Sequence, residues 1–186
     1  MREFEVEKIK RDIKITTIFE GTSEIQRSII STFRLRETVR SKGRFYLDRA
    51  EALEKLSADC GAQAVARSIR LLNDVVLNTR KYKLTRSQAV MFLLADMMTW
   101  CEVGEALCHK AAAGQGQSRS PEFLKAVARL FALEVATKVY LNGTKIAQGC
   151  DEIMGEVTPK IKELDLGEIS RNFMADMDQV AAEIVR

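Results

Sequence analysis

Ile15-Thr16-Thr17-Ile18-Phe19-Glu20-Gly21-Thr22-Ser23-Glu24-Ile25-Gln26-Arg27 couples one carboxylate to a glycine turn that opens a helix. Ser23 and Gln26 are spaced as a capping box. Ile25, Ile29 and Phe33 follow at the period of an α-helix. Gly21 lets the backbone pass close to a ligand, because no Cβ stands in the way. On spacing alone the run also reads as a helix, a tight turn and a capped second helix, with Glu20 merely solvated.

The helical period continues outward from this run. Tyr46, Ala50, Leu53 and Leu56 mark one stripe, and Val65, Ile69, Leu72 and Val76 a second. Val90, Leu93, Met97, Cys101 and Leu107 form a third, Leu124, Val127, Phe131, Val135 and Val139 a fourth, and Ile169, Phe173, Met177, Val180 and Ile184 a fifth. Each stripe covers one face, so the expected fold is all-α, with helices packed antiparallel around a shared core. Two prolines and few alternating β-branched positions leave little room for a sheet. Breaks are expected at Ser41-Lys42-Gly43, at Lys81 to Thr85, at Gly114 to Pro121 and from Gly155 to Gly167. Ser120 before Pro121 reads as an N-cap with proline at the first helical position.

Composition is that of an ordinary globular chain: 186 residues, 46% hydrophobic, 30% charged. No apolar run approaches the roughly 18 residues needed to cross a bilayer, and no signal peptide is evident. An intracellular location is expected. Cys60, Cys101, Cys108 and Cys150 include no Cys-x-x-Cys pair. Cys101 and Cys108 fall two turns apart on one face, too far for two ligands of one zinc ion without further help. They read as reduced thiols packed as small hydrophobes, and no metal site is expected. His109, the only histidine, reads as a surface or capping residue near a helix end. Met91, Met97 and Met98 could line an apolar pocket, but core filling explains them more simply. The Gly-Gln-Gly-Gln piece after residue 113 lacks a preceding strand and a Lys-Ser/Thr ending, so it is a connection and not a phosphate loop.

The opening run resembles the base-bearing Phe/Tyr-Glu-Gly-Thr loop of the acyl-CoA dehydrogenases. Val6 to Ile15 is similar to the Val-Glu-Lys-x-x-Arg-Asp-Ala-Lys-Ile lead-in of the same family, departing mainly at Ile13. The resemblance implies that Glu20 takes the α-proton of a fatty acyl thioester while the β-hydrogen leaves as hydride to FAD. Such a base must be a carboxylate largely stripped of water, with its pKa raised toward working pH. Ile18 and Phe19 would make the dry wall. Gly21 would touch the substrate and Thr22, Ser23 and Glu24 would lie on the flavin side, where free helix-start amides suit a phosphate or flavin oxygen. Many members carry glutamine where Glu24 stands.

Only about the first forty residues resemble the end of the family's helical domain, so residues 1–43 read as that end and 44–186 as an additional bundle. Met1 is expected to be an artificial start or that of a truncated reading frame. The extension is similar to that of the very-long-chain members. Ser87 to Met97 resembles the family's Gln-Ala-x-x-Phe-x-Leu-Ala-Asp-Met helix, and Ala126 to Ala136 the helix that follows it. Residues 44–150 therefore read as a degenerate second copy without a base, serving packing and assembly. The resemblance implies acyl-CoA and electron-transferring flavoprotein as partners of a parent enzyme, and a homo-oligomer. It implies a cytoplasmic or, in a eukaryote, mitochondrial-matrix location. The alternative is a non-catalytic helical module for dimerisation or docking.

The net charge of +3 is unevenly spread. Seven basic residues between Arg27 and Arg49 face only Glu37 and Asp48, which would suit CoA phosphates, anionic lipid, a neighbouring subunit's acids, or plain solvation. From Asp151 to Arg186 nine acidic residues outnumber four basic ones, a segment that an anionic membrane would repel. Its partner should be the basic part of this fold or of another protomer. Peripheral membrane contact stays open, and no aromatic interleaving supports nucleic-acid binding.

Overall fold

The computed structural model describes residues 5–19, 21–114 and 119–185. Among these, every regular element is helical. They are α1 (Val6–Lys14), α2 (Ser23–Arg40), α3 (Arg44–Glu54), α4 (Ala62–Lys81), α5 (Gln88–Ala112), α6 (Pro121–Ala147), α7 (Asp151–Lys162), α8 (Leu166–Ile169) and α9 (Phe173–Ile184). Short 3-10 turns lie at Ile15–Thr17, Ala58–Cys60 and Leu84–Arg86.

α4 is the axis of the bundle, and its predicted stripe Val65, Ile69, Leu72 and Val76 is buried. α3, α5, α6 and α7 surround it. α3, α5 and α7 run antiparallel to α4: Arg70 of α4 meets Glu54 of α3, Cys108 of α5 meets Cys60 just before α4, and Lys160 of α7 meets Asp74. α2 instead lies alongside α5 in the same direction, Arg27 beside Asp96 and Arg34 beside Glu102. The all-α antiparallel bundle is as expected.

Local signals explain most of the ends. α2 stops in a Schellman turn, Gly43 N–H bonding Thr38 C=O and Lys42 N–H bonding Val39 C=O, with Lys42 in the left-handed region. Ser120 Oγ accepts the Phe123 N–H at 3.1 Å, and Pro121 occupies the first helical position, as the Ser-Pro pair predicts. A further break, Lys55 to Gly61, separates α3 from α4. Gly61 there has φ +76°, and a Cβ on it would come within 2.8 Å of Ala132 Cβ.

Three helix faces differ from the predicted stripes. In α6 the fully buried line is Ala128, Ala132, Val135 and Val139, while Leu124, Val127 and Phe131 are only half-buried. Small residues let the neighbouring helices approach closely, and the larger ones seal the rim, Phe131 stacking on Trp100 at 5.2 Å. Gly104 of α5 serves the same approach, since a Cβ there would lie 2.9 Å from Val135 Cγ2. In α5, Leu94, Met98 and Cys108 join Met97 and Cys101 inside, whereas Val90, Leu93 and Leu107 pack at the margin.

α7 corrects the break expected from Gly155 to Gly167, because it continues through both Gly155 and Pro159 to Lys162. Pro159 removes one helical donor and crowds the Gly155 carbonyl. Burying Ile153, Val157 and Ile161 against α4 and α6 outweighs that cost. Glu163 to Asp165 is the actual break.

α9 departs furthest. Phe173, Met177 and Ile184 of the fifth stripe are 40%, 47% and 58% exposed, and the buried residue of the helix is Asp176. Arg129 of α6 holds that carboxylate with Nε at 3.0 and 3.1 Å. A charge-assisted contact sets the rotation of α9.

Candidate functional site

Glu20 lies outside the described residues. The residues on either side of it are placed. The 3-10 turn ends at Thr17, and Ile18 and Phe19 are 69% and 65% exposed. Open to solvent to that extent, they do not form the dry wall expected around a base within this chain. α1 and the 3-10 turn pack on each other, and neither makes an extended contact with the helices beyond.

Gly21 has φ +119°, a conformation that favours glycine, and it lies back on the first turn of α2, where a Cβ would sit 3.2 Å from Ile25 Cγ2. Thr22 is the N-cap, with extended backbone and no side-chain cap bond. The predicted capping box of Ser23 and Gln26 therefore does not form, since the helix begins at Ser23, one residue earlier than that pairing requires. Glu24 is the acid of the first turn. Its carboxyl is held below the usual carboxylate range, chiefly by a hydrogen bond from its own backbone N–H and then by one from the Thr22 hydroxyl. A carboxylate in the first turn also answers the positive end of the helix dipole.

The structure thus brings Gly21, Thr22, Ser23 and Glu24 together at one helix start. The missing Cβ of Gly21 and the remaining amides of this helix start could take a neutral flavin or carbonyl oxygen at one edge. Glu24 competes for the same amides, which disfavours a further anionic group there.

Behind this edge α2 carries two contrasting faces. Ile25, Ile29 and Phe33 are exposed. With Ile30, Arg34, Thr99, Glu102 and Val103, Ile29 and Phe33 line an open groove of about 380 Å³. The other face is fastened to α5 by charge. Arg27 Nε donates to Asp96 Oδ1 at 2.8 Å, and Arg34 grips Glu102 with Nε and Nη2, both at 2.7 Å. Tyr46 OH donates to Glu102 at 3.3 Å, and Arg49 Nε donates to Glu105 at 2.6 Å. The Phe45 ring lies 5.4 and 5.3 Å from the Arg34 and Arg49 guanidinium carbons. Burial pushes the Tyr46 phenol up. Arg44 pairs with Asp48 and Glu51.

Four of the seven basic residues between Arg27 and Arg49 are thereby paired within the fold, and the acids of α5 answer much of the charge that suggested CoA phosphates, lipid or a second subunit. The segment from Asp151 onward pairs within the same fold, but with cations outside the basic stretch from Arg27 to Arg49: Asp176 with Arg129, Glu168 with Arg67 and Glu156 with Lys81. Sequence reasoning missed the α5 acids Asp96, Glu102 and Glu105. Their i, i+6 and i, i+9 spacing along one edge of the Met97–Cys101 stripe was the available signal.

All four cysteines are free, and Cys60, Cys101 and Cys108 are buried. Burial pushes the Cys108 thiol up to about 12, and it donates to the Cys60 carbonyl at 3.3 Å. These are inert packing thiols. No His/Cys/Asp/Glu group suited to a metal ion occurs among the described residues. Met97 and Met98 are fully buried core residues, and His109 is exposed. No helix among the described residues is long and apolar enough to cross a membrane.

No curated protein and no solved structure matches the chain. A family match covers the segment just described. Residues 1–34, from the lead-in through the Gly21 turn into α2, match the model of the acyl-CoA dehydrogenase C-terminal domain.

Proposed function

We propose that the chain is the C-terminal part of an FAD-dependent acyl-CoA dehydrogenase, with Glu20 as the base that takes the α-proton of the acyl thioester. One coincidence carries this reading. The segment that matches the family, residues 1–34, leaves the apolar side chains Val6, Ile9, Ile13, Phe19, Ile25, Ile29 and Phe33 exposed, whereas α3 to α7 bury a core of their own. A piece of a larger domain separated from its neighbours has this distribution. Residues 1–43 would then complete the catalytic domain and 44–186 form the additional bundle.

In such a parent Gly21 approaches the acyl group, and Thr22, Ser23 and Glu24 present the α2 amides to the flavin edge. FAD, when bound, takes up the β-hydrogen as hydride. Ile18 and Phe19, bare here, become the apolar cover that raises the Glu20 pKa once upstream helices pack on them. Arg27 on Asp96 and Arg34 on Glu102 hold α2, and with it the loop, against the bundle.

Visible absorption of the purified chain after addition of FAD and gel filtration tests the division of labour. A colourless chain is expected. In a full-length parent Glu20→Gln should abolish dehydrogenation with flavin content unchanged, and undiminished turnover would remove Glu20 as the base. The second reading, a helical module for assembly without activity, is favoured by the exposed apolar face of α9. It applies to residues 44–186 within the same parent.

A further inference from the structure

α1 is a helix without a seat. It has nine residues, and an isolated helix shorter than about 12–15 residues is marginal in water. Its only extended contact is with the 3-10 turn that follows it. Yet it is amphipathic: Val6, Ile9 and Ile13 share one face and are all more than half exposed, while Lys8 and Arg11 stand on the opposite face. A second bare stripe lies close along the chain. Ile25 and Phe33 of α2 are more than half exposed and Ile29 nearly so. We propose that α1 is a strap that closes back on α2 as a helical hairpin, laying Val6, Ile9 and Ile13 over Ile25, Ile29 and Phe33. The structure shows the strap open.

Tether, spacing and charge select α1 as the occupant of the α2 stripe. Eight residues, Ile15 to Thr22, join the two helices, within the range of about two to eight that connects antiparallel neighbours. They include Gly21 at φ +119°, where glycine lets the chain reverse. An antiparallel lay sets Ile13 on Ile25, Ile9 on Ile29 and Val6 on Phe33. At 1.5 Å per residue these layers span about 10.5 Å on α1 and about 12 Å on α2, so all three stay in register. Beyond Phe33 the same face of α2 continues with Arg36 and Arg40, neither of which has an ion-pair partner among the described residues. Closure brings Glu5, just before α1, beside Arg36 and opposes the two helix dipoles. The groove of about 380 Å³ between α2 and α5, with Val103 on its far wall, widens the seat.

Closure has two consequences. It removes from water the two apolar stripes of the N-terminal segment, surface that would otherwise invite non-specific association. It also makes the connection from Ile15 to Thr22 the tip of a hairpin, away from any apolar cover. A parent domain that packs on α2 must lift the strap before that loop becomes a dry site. This last step rests on the family reading above, whereas the closure itself does not.

Disulfide trapping in the whole chain tests the closure. In a Cys150→Ser background the remaining cysteines are buried. There Ile9→Cys with Ile29→Cys should form an intramolecular disulfide several-fold faster than Lys8→Cys with Ile29→Cys, because Lys8 stands on the opposite face of α1. Hydrogen exchange in the unmodified chain should show protected amides in α1. Ile29→Asp should erase that protection and leave α4 protected as before, since Ile29 belongs to no buried core. Unprotected α1 amides together with equal trapping of the two cysteine pairs would overturn the proposal. A disulfide found only between two chains would overturn it too, moving the contact to another copy. Protection that arises only when anionic vesicles are added would assign α1 to a lipid surface instead. None of these outcomes bears on Glu20, whose role is read from turnover and flavin in the parent.

Discussion

Glu102 is the joint between the loop-bearing helix and the bundle. It receives two hydrogen bonds of 2.7 Å from Arg34 and one of 3.3 Å from Tyr46, and Arg49 lies 3.7 Å away. Replacing it by glutamine keeps the shape and removes the charge. A hydrogen bond to a charged group contributes about 1.5–3 kcal/mol. The side chains of Glu102 and Arg34 are 22% and 38% exposed, so water recovers part of what is lost. The expected cost of Glu102→Gln is therefore about 1–2 kcal/mol, and in a domain of this size about 1 kcal/mol lowers Tm by roughly 2–4 °C. Thermal melts of the single variants Glu102→Gln and Arg34→Met and of the double variant close a cycle whose coupling energy should be about 1 kcal/mol or more. Hydrogen exchange should at the same time quicken in the first turns of α2. Additive single effects, with exchange there unchanged, would refute the assignment of Glu102 as the joint.

Two further outcomes follow from the packing and the carboxylates. Gly104→Ala and Gly155→Ala should have opposite signs: the first drives a Cβ to 2.9 Å from buried Val135 and destabilises by about 1 kcal/mol net of helix propensity, while the second meets nothing within 4 Å and stabilises by up to about 1 kcal/mol, as denaturant melts would show. Glu54, Asp59 and Glu156 are held below their ordinary values of 4.5, 3.8 and 4.5, first by hydrogen bonds from Arg70, Lys125 and Lys81. Depressed carboxylates contribute stability that is present above those ordinary values and lost as pH falls through the lower folded ones. Tm should thus fall progressively below about pH 4.5, and a Tm unchanged down to pH 2 would contradict these pairings.

Helix type and most helix ends were legible in the chain because they depend on neighbours in sequence. The apolar period along Val65 to Val76, the Ser120-Pro121 start and the Ser41 to Gly43 stop each act over a turn or two. The Glu-Gly-Thr run and its lead-in were equally legible, since a motif is a linear string. The faces and partners were not. Periodicity states that Phe173, Met177 and Ile184 share a stripe, but only the placement of Arg129 opposite Asp176 turned that stripe outward. Composition marks Arg27 to Arg49 as basic, but whether the charge faces a ligand or Asp96, Glu102 and Glu105 depends on α2 lying beside α5, far along the chain. The proline in α7 belongs with these: local propensity ends a helix there, and burial of Ile153, Val157 and Ile161 carries it through. Local backbone preferences amount to tenths of a kcal/mol per residue up to about 3 for proline, so they set the helices, while burial and charge pairing between distant residues decide their faces and partners.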